Sequence, residues 1–395
     1  MATAAGTIGT GVGVRDASAD VADSIPWTIW CMIAGLVSGT IGGHWDISWH
    51  MSIGRDTFWT PAHILIQLAA VLVGIASASL ILSATFGAES ASHAATVKIW
   101  GFRGPLGAFI AIWGCAAMLT SAPFDNWWHN AYGLDVKIVS PPHTLLSLGS
   151  FAIKVGVLAL IAGLMNRAVA NVRRTLMWLS VYAGASCVSQ MGTLLTEATW
   201  PLNMHSARCY TAVALLVPAA LVGTSWALNR RWACTLVSGC YTLVALAFEW
   251  ILPLFPAAPK LGPVYQPITH LVPLHFPLLL IVPAVALDLL WSKTEDWGRW
   301  RQAMASGPVF VLTFLAAQWP FASFLMTPAA RNWFFGMGYF AYFDPANILY
   351  DPYKFQVAEK TRAEFALVMA IAIVTSVLTS RLGLAWGDWM RRIRR

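Results

Sequence analysis

Residues 61–85 read PAHILIQLAAVLVGIASASLILSAT and contain no Asp, Glu, Lys or Arg. A helix crossing the hydrocarbon core of a bilayer needs about 20 such residues, and this run supplies them without a break. Comparable runs occur on either side, at 26–43, 104–122, 142–164, 175–196, 206–228, 233–254, 269–291, 307–327 and 365–386. Across the 395 residues, 57% are hydrophobic types and 11% are charged, against about 25% charged in an ordinary soluble domain. Mean hydropathy is +0.62. A soluble globular enzyme and a disordered chain are both excluded by these figures. The apolar runs are continuous rather than alternating, which argues against a β-barrel. The expected fold is all-α, a polytopic integral membrane helical bundle of about 10 transmembrane helices. Pro61, Pro142 and Pro308 are expected in first helical turns, where a missing N–H costs nothing.

Orientation follows from the basic residues. If all ten runs span, 16 Lys and Arg fall on one face, from Arg15 to the terminal MRRIRR, and 8 fall on the other, among them Arg55, Lys137 and Lys260. Both termini are therefore expected in the cytoplasm of a multi-pass cell inner (plasma) membrane protein. The net charge of +7 reports on topology and not on nucleic acid. Residues 1–25, rich in Gly, Ala and Asp, lack the pattern of a signal peptide and are expected to form a flexible cytoplasmic tail. The six cysteines show no CxxC spacing and are expected as small buried apolar residues. With this topology, eight of the nine histidines lie at outer loops or outer helix ends; only His93 is inside. Metal binding or titration at a shared wet face accounts for such clustering.

Two outer segments repeat one another. HWDISWHMSIGRDTFWTPAH (44–63) and FDNWWHNAYGLDVKIVSPPH (124–143) both follow D-x2-W-H-x3-G-x-D-x(4 or 5)-P-x-H. Asp46 and His50 stand four apart, on one face of a helix, as do Asp125 and His129. His63 and His143 open the following helices, so a tight loop would fold each back over its pair. Asp46, His50 and His63 thus form one candidate metal site, and Asp125, His129 and His143 a second. Two imidazoles and a carboxylate suit copper, iron or zinc and leave positions open. Asp56 and Asp135 are expected behind the ligands, holding a ring N–H or a loop amide. Gly54 and Gly133 are expected to supply positive φ. The N-terminal half is accordingly read as a duplicated helix–loop–helix metal-site unit.

SWHMSIGRDTFWTPAHI resembles the C subunit of the copper membrane monooxygenases, the family of particulate methane and ammonia monooxygenases. That subunit carries a W-H-x4-R-D-T-x-F-T-P-S-H run within a D-x3-H-x12-H copper site, the spacing of Asp46, His50 and His63. It also has an N-x3-H-x13-H site, the spacing of Asp125, His129 and His143, with Asp125 in place of Asn. The resemblance is specific over 40–66, moderate over 120–147, and covers 26–164 in architecture. It implies copper, O2, a small apolar substrate, A and B subunit-like partners, and a catalytic role in oxygen activation for Asp125, His129 and His143. Residues 165–395 extend beyond the family subunit.

This divides the chain into the tail 1–25, a C subunit-like metal-binding region 26–164 and an additional transmembrane region 165–395. In the last, Glu197, Trp200 and His205 form one outer group, and Glu249, His270 and His275 another; neither has the spacing of the repeat. Lys154, inside the fourth run, must face the bundle, a carboxylate or another subunit. The aromatic connection 328–364 is read as a cap over the outer vestibule or a membrane-skimming loop. Trp45, Trp49, Trp59, Trp127 and Trp128 are candidates to line a substrate pocket, with packing as their simpler role. A transporter or metal-handling protein with an outer-face His/Asp site is the alternative function. Bis-His haem binding is weaker, because each histidine comes with a carboxylate.

Overall fold

The computed structural model of the chain describes residues 22–87, 96–133, 140–344 and 353–393. Ten α-helices follow in order among them: α1 (Trp27–Ser52), α2 (Pro61–Phe86), α3 (Leu106–Tyr132), α4 (Pro141–Met165), α5 (Ala170–Leu194), α6 (Ala207–Leu228), α7 (Ala233–Ile251), α8 (Ile281–Trp291), α9 (Arg299–Leu325) and α10 (Arg362–Arg392). Seven are long and apolar enough to cross a membrane: α2, α3, α4, α6, α7 with its following turn, α9 and α10. The chain thus has the helices of a multi-pass membrane protein. α1 and α5 are long enough, at 26 and 25 residues, but are not among these seven.

Helix pairs approach closely where side chains are smallest. On α3 and α4, Gly107 faces Gly156 and Gly114 faces Gly149, and a Cβ on any of the four would strike the carbonyl oxygen of its partner. Small residues at such crossings let membrane helices pack backbone to backbone. This pairing brings the end of α3 beside the start of α4, as Gly42 against Ala62 and Ile66 does for α1 and α2.

Four expectations change. The run 269–291 is helical only from Ile281. Pro267, Pro273 and Pro277 deny the preceding stretch its helical N–H groups, and residues 271–279 are non-helical and largely buried instead. Non-helical backbone at membrane depth must find partners in the protein. Val272 N–H donates to Ser52 Oγ at 2.7 Å, the Val272 carbonyl accepts from Ser48 Oγ at 2.6 Å, and Leu279 N–H donates to Gln318 Oε1 at 3.0 Å. Second, Pro308 is not in a first turn: α9 begins at Arg299 and runs through both Pro308 and Pro320. Third, an antiparallel hairpin interrupts the all-α pattern, β1 (Val97–Ile99) pairing with β2 (Phe102–Gly104). Its two turn residues, Trp100 and Gly101, have φ of 49° and 87°, the backbone of a type I′ turn. Fourth, the N-terminal segment is tied down at its end. Ala22 N–H donates to the Arg167 carbonyl at 3.2 Å, and the Ala22 carbonyl accepts from Val169 at 3.1 Å.

The α4–α5 connection also meets the other end of the chain. Asn166 Nδ2 donates to the carbonyls of Met390, Arg391 and Ile393 at 3.3, 3.1 and 2.8 Å. Nearby, Arg299 clamps Asp388 through Nε at 2.7 Å, and Trp226 Nε1 donates to the same carboxylate at 2.8 Å. The six cysteines are free, four buried and two partly so, as their apolar settings imply.

Candidate metal centres

α1 runs through Asp46 and His50 before ending at Ser52. The chain then turns at Gly54, whose φ is +81°. A tight turn follows, closed by Thr57 N–H to Thr60 Oγ1 and Thr60 N–H to the Thr57 carbonyl, both 2.9 Å. It delivers Pro61 as the first residue of α2, with His63 in the first turn. His63 Nε2 stands 3.0 Å from Asp46 Oδ1, and His50 Nε2 is 3.9 Å from the same oxygen.

The second centre is built the same way from α3 and α4. Asp125 and His129 lie in the last turns of α3. The helix stops at Gly133, φ +89°, and Ser140 caps α4 by accepting from His143 N–H. His129 Nε2 is 3.4 Å from Asp125 Oδ2, and His143 Nε2 is 3.4 Å from Asp125 Oδ1. In each centre the three ligand atoms lie within 4.8 Å of one another. Both triads read from the sequence are thus brought together, and both glycines carry the expected positive φ.

The second nitrogen of the rings settles which atoms face the centre. His63 Nδ1 is 2.9 Å from the Thr57 carbonyl and His129 Nδ1 is 3.2 Å from the Gly133 carbonyl. A carbonyl only accepts, so each Nδ1 carries a proton, and in its neutral form the ring presents a bare Nε2 to its carboxylate. Asp46 Oδ1 and Asp125 Oδ1 are buried without a hydrogen-bond donor. Between Nε2 and its carboxylate, 3.0 Å apart at His63 and 3.4 Å apart at His129, stands either a proton on the ring or a metal ion. Donors held about 2.0–2.2 Å from one ion at angles of about 90–110° stand about 3–3.5 Å apart. The residues present therefore fit a metal ion.

Asp56 is placed close to the first centre. Its Oδ2 lies 3.4 Å from both His50 Nε2 and His63 Nε2, so it stands beside the ligand atoms, while the three donors that come together are those of Asp46, His50 and His63. The ring N–H it was expected to hold is taken instead by the Thr57 carbonyl, which the tight turn aims at His63. Asp135 and His93 lie outside the described residues.

One cavity of about 960 Å3 is lined by Asp46 and His50 of the first centre and by His129 and His143 of the second. Tyr342 and Phe343, from the connection before α10, line it too. Tyr342 is held by its N–H to the Met51 carbonyl at 2.9 Å, and its ring packs on Gly54, where a Cβ would run into the hydroxyl. Of the two readings of 328–364, the described part supports the cap. Burial pushes the neighbouring Asp344 carboxyl up to about 6, against a smaller opposing effect of the Ala341 N–H it accepts.

The second-half groups do not assemble as centres. Glu197 and Trp200 line the cavity. His205 is instead stacked between Trp319 and Phe355, at 4.0 and 3.6 Å, and burial there lowers its pKa. Glu249 is buried against Gly336, and His275 packs on Trp200 at 4.6 Å. None of the five candidate tryptophans lines the cavity. Trp49 donates to the Arg55 carbonyl at 3.0 Å, and Trp127 and Trp128 stack with Phe124 and Tyr132. His44 donates through Nδ1 to the Thr40 carbonyl at 2.8 Å, accepts from Ser189 at Nε2, and stacks on Phe248. It is a fully engaged cavity-wall residue rather than a ligand.

Comparison with family models, with curated proteins and with solved structures finds no match to this chain. The class defined by fold and site is a helical membrane protein with two His/Asp groups able to hold a metal.

Proposed function

We propose that the chain is an integral membrane, copper-binding protein of monooxygenase type, acting with O2 on an apolar substrate such as a hydrocarbon or ammonia. Asp46, His50 and His63 hold one ion and Asp125, His129 and His143 the other, with the second centre activating oxygen. The observation that carries this reading is the repetition of one ligand geometry. Each centre has two imidazole Nε2 atoms turned on a carboxylate, with one ring fixed from behind by a loop carbonyl, and both centres open on one cavity. Copper follows from the resemblance of the 49–63 run. A two-His, one-carboxylate set is equally that of non-haem iron, whereas zinc has no redox chemistry. When bound, the metal supplies the oxygen chemistry by which R–H, O2, two electrons and two protons give R–OH and water. The chain's own part is to hold the carboxylates and imidazoles in place, to orient His63 and His129 through Thr57 and Gly133, and to cover the cavity with Tyr342 and Phe343.

In this reading α1–α4 are a duplicated helix–loop–helix unit and all ten apolar runs enter the membrane. Both termini are cytoplasmic, and the centres face the periplasmic side of the inner membrane. A and B subunit-like proteins are the expected partners. Metal analysis of the purified protein tests the core of it. Two ions per chain are expected in the wild type and one in each of His50→Ala and His129→Ala, with 18O from labelled O2 appearing in product. Metal content unchanged by both substitutions would remove the proposal.

One observation favours a second reading. Lys154 sits deep in α4 and lines the same cavity, the placement of an ionisable group in a transporter. Copper uptake into proteoliposomes that is lost on Asp125→Asn would favour transport over oxidation.

A further inference from the structure

α4 carries a stripe that leads inward from the second metal centre. His143, Leu146, Ser147, Ser150 and Lys154 all line the cavity, and their spacing keeps them on one helix face. The stripe begins at the second centre, in the first turn, and ends at Lys154, about 16 Å further along the axis at 1.5 Å per residue. Lys154 is 7% exposed. Its ammonium donates to Ser150 Oγ and Gln190 Oε1, both at 2.7 Å. The Gln190 amide is pinned in turn, donating to the Ser147 carbonyl at 2.8 Å, so its oxygen is committed to the lysine. Long side chains on a helix lean toward its N-terminus. The ammonium therefore stands near the level of Ser150, about 10 Å along the axis from His143, on the side of the metal centres.

Both acceptors are neutral, an ammonium has three donors, and among the described residues no carboxylate lies within ion-pair distance of Lys154. A buried charge compensated only by dipoles is costly, and an anion entering the cavity would relieve that cost. His44, the other basic group at this end, is neutral by its own hydrogen bonds, since Nδ1 donates to Thr40 and Nε2 accepts from Ser189. One cation calls for one negative charge. Between Lys154 and the centres the walls include Ile47, Met118, Leu146 and Leu194, which suit a hydrocarbon chain. The volume of about 960 Å3 is far more than methane or ammonia fills and is typical of sites for larger organic ligands.

We propose that the inner end of this cavity is a carboxylate-binding subsite with Lys154 as its charge partner, and that the cavity takes an organic acid whose chain reaches back to the metal centres. The orientation of the chain rests on the metal reading of the two triads; the head-group subsite does not.

Equilibrium dialysis of the full-length, metal-stripped protein in an uncharged detergent tests it, with labelled decanoate, its methyl ester, hexanoate and decyl phosphate as probes. Saturable one-to-one binding of decanoate is expected, at least about tenfold tighter than the ester, as the loss of a charge-assisted hydrogen bond requires. Hexanoate should bind more weakly because it leaves the apolar walls uncovered. Lys154→Gln should bring decanoate down to the level of the ester without weakening the ester, and Lys154→Arg should retain the preference. Equal binding of acid and ester, or a Lys154→Gln protein that binds decanoate as the wild type does, would overturn the subsite. Tighter binding of decyl phosphate would overturn the choice of carboxylate. The wild-type comparison of acid with ester decides the matter even if the variants do not fold. Because the metal is removed, a negative result here leaves the metal analysis of His50→Ala and His129→Ala standing, and the reverse holds too.

Discussion

Two glycines hold equivalent places after α1 and α3, yet they carry different burdens. Gly133 has φ +89° and ψ −178°, a region essentially reserved for glycine, and nothing stands within 4 Å of where its Cβ would be. Gly54 has φ +81°, and a Cβ there would also meet the Tyr342 hydroxyl. Gly133→Ala is therefore expected to cost about 1–3 kcal/mol of backbone strain. Gly54→Ala should cost more and displace Tyr342 as well. Thermal unfolding with metal stoichiometry separates them: each variant should lose the ion of its own centre, with the larger drop in Tm for Gly54→Ala. At this scale the triads were legible because their ligands are local in sequence, four residues apart on a helix or across one short loop. The detail of Asp56 was not legible, because no spacing rule shows that the Gly54–Thr60 loop folds back to set both imidazoles 3.4 Å from its Oδ2. Lys154 stood out as a charge in an apolar run, but its partners on α5 could not be named.

α2, expected over 61–85, spans Pro61–Phe86, and α4 and α6 match as closely, whereas α1, α3 and α9 extend eight to ten residues beyond their apolar runs. Hydropathy failed where composition and backbone geometry part. The stretch 269–280 is apolar, but its prolines leave it non-helical, and α1 supplies hydrogen bonds to Val272. Ser48 and Ser52, both fully buried, flank His50 and bond Val272 from below. The second half of the chain thereby steadies the helix that carries the first centre. Ser52→Ala leaves the buried Val272 N–H without an acceptor and should cost about 1–3 kcal/mol. Weaker metal retention at the first centre is expected alongside, with the second unaffected. Chelator titration of the variant checks this, and equal loss from both centres would contradict it. The hairpin 97–104 escaped notice because strands of three residues carry no period, and its turn uses Trp100 where Asn is usual.

The cap joins the halves of the molecule, and its stability should depend on pH. Asp344 accepts the Ala341 N–H at 3.0 Å beside Tyr342, and its pKa is raised to about 6 from 3.8. A carboxyl raised on folding takes up a proton with the folded state, so stability falls as pH rises from about 4 to about 6. Tm should fall across that window in the wild type and stay flatter in Asp344→Asn, which keeps an acceptor but cannot ionise.

Sidedness is the property of the whole molecule on which the outer position of the centres depends. Ala22 is hydrogen-bonded to Arg167 and Val169, and the adjacent Asn166 to the carbonyls of Met390, Arg391 and Ile393. The centres lie at the other ends of α1 and α4, each helix being 25 or 26 residues long. A helix of that length spans about 38 Å at 1.5 Å per residue, more than the hydrocarbon core of about 30 Å, so the two groups belong to opposite faces. In the proposed reading, the excess of Lys and Arg puts the termini in the cytoplasm. Lys260→Cys, exposed in the connection whose N–H bonds the Ile53 carbonyl, should then react with an impermeant maleimide in intact cells. Arg174→Cys, exposed near the start of α5, should react only after lysis. The six native cysteines are buried or partly buried and should give little background. Labelling in the reverse order would turn the centres toward the cytoplasm, and a periplasmic supply of metal or substrate would have to be abandoned.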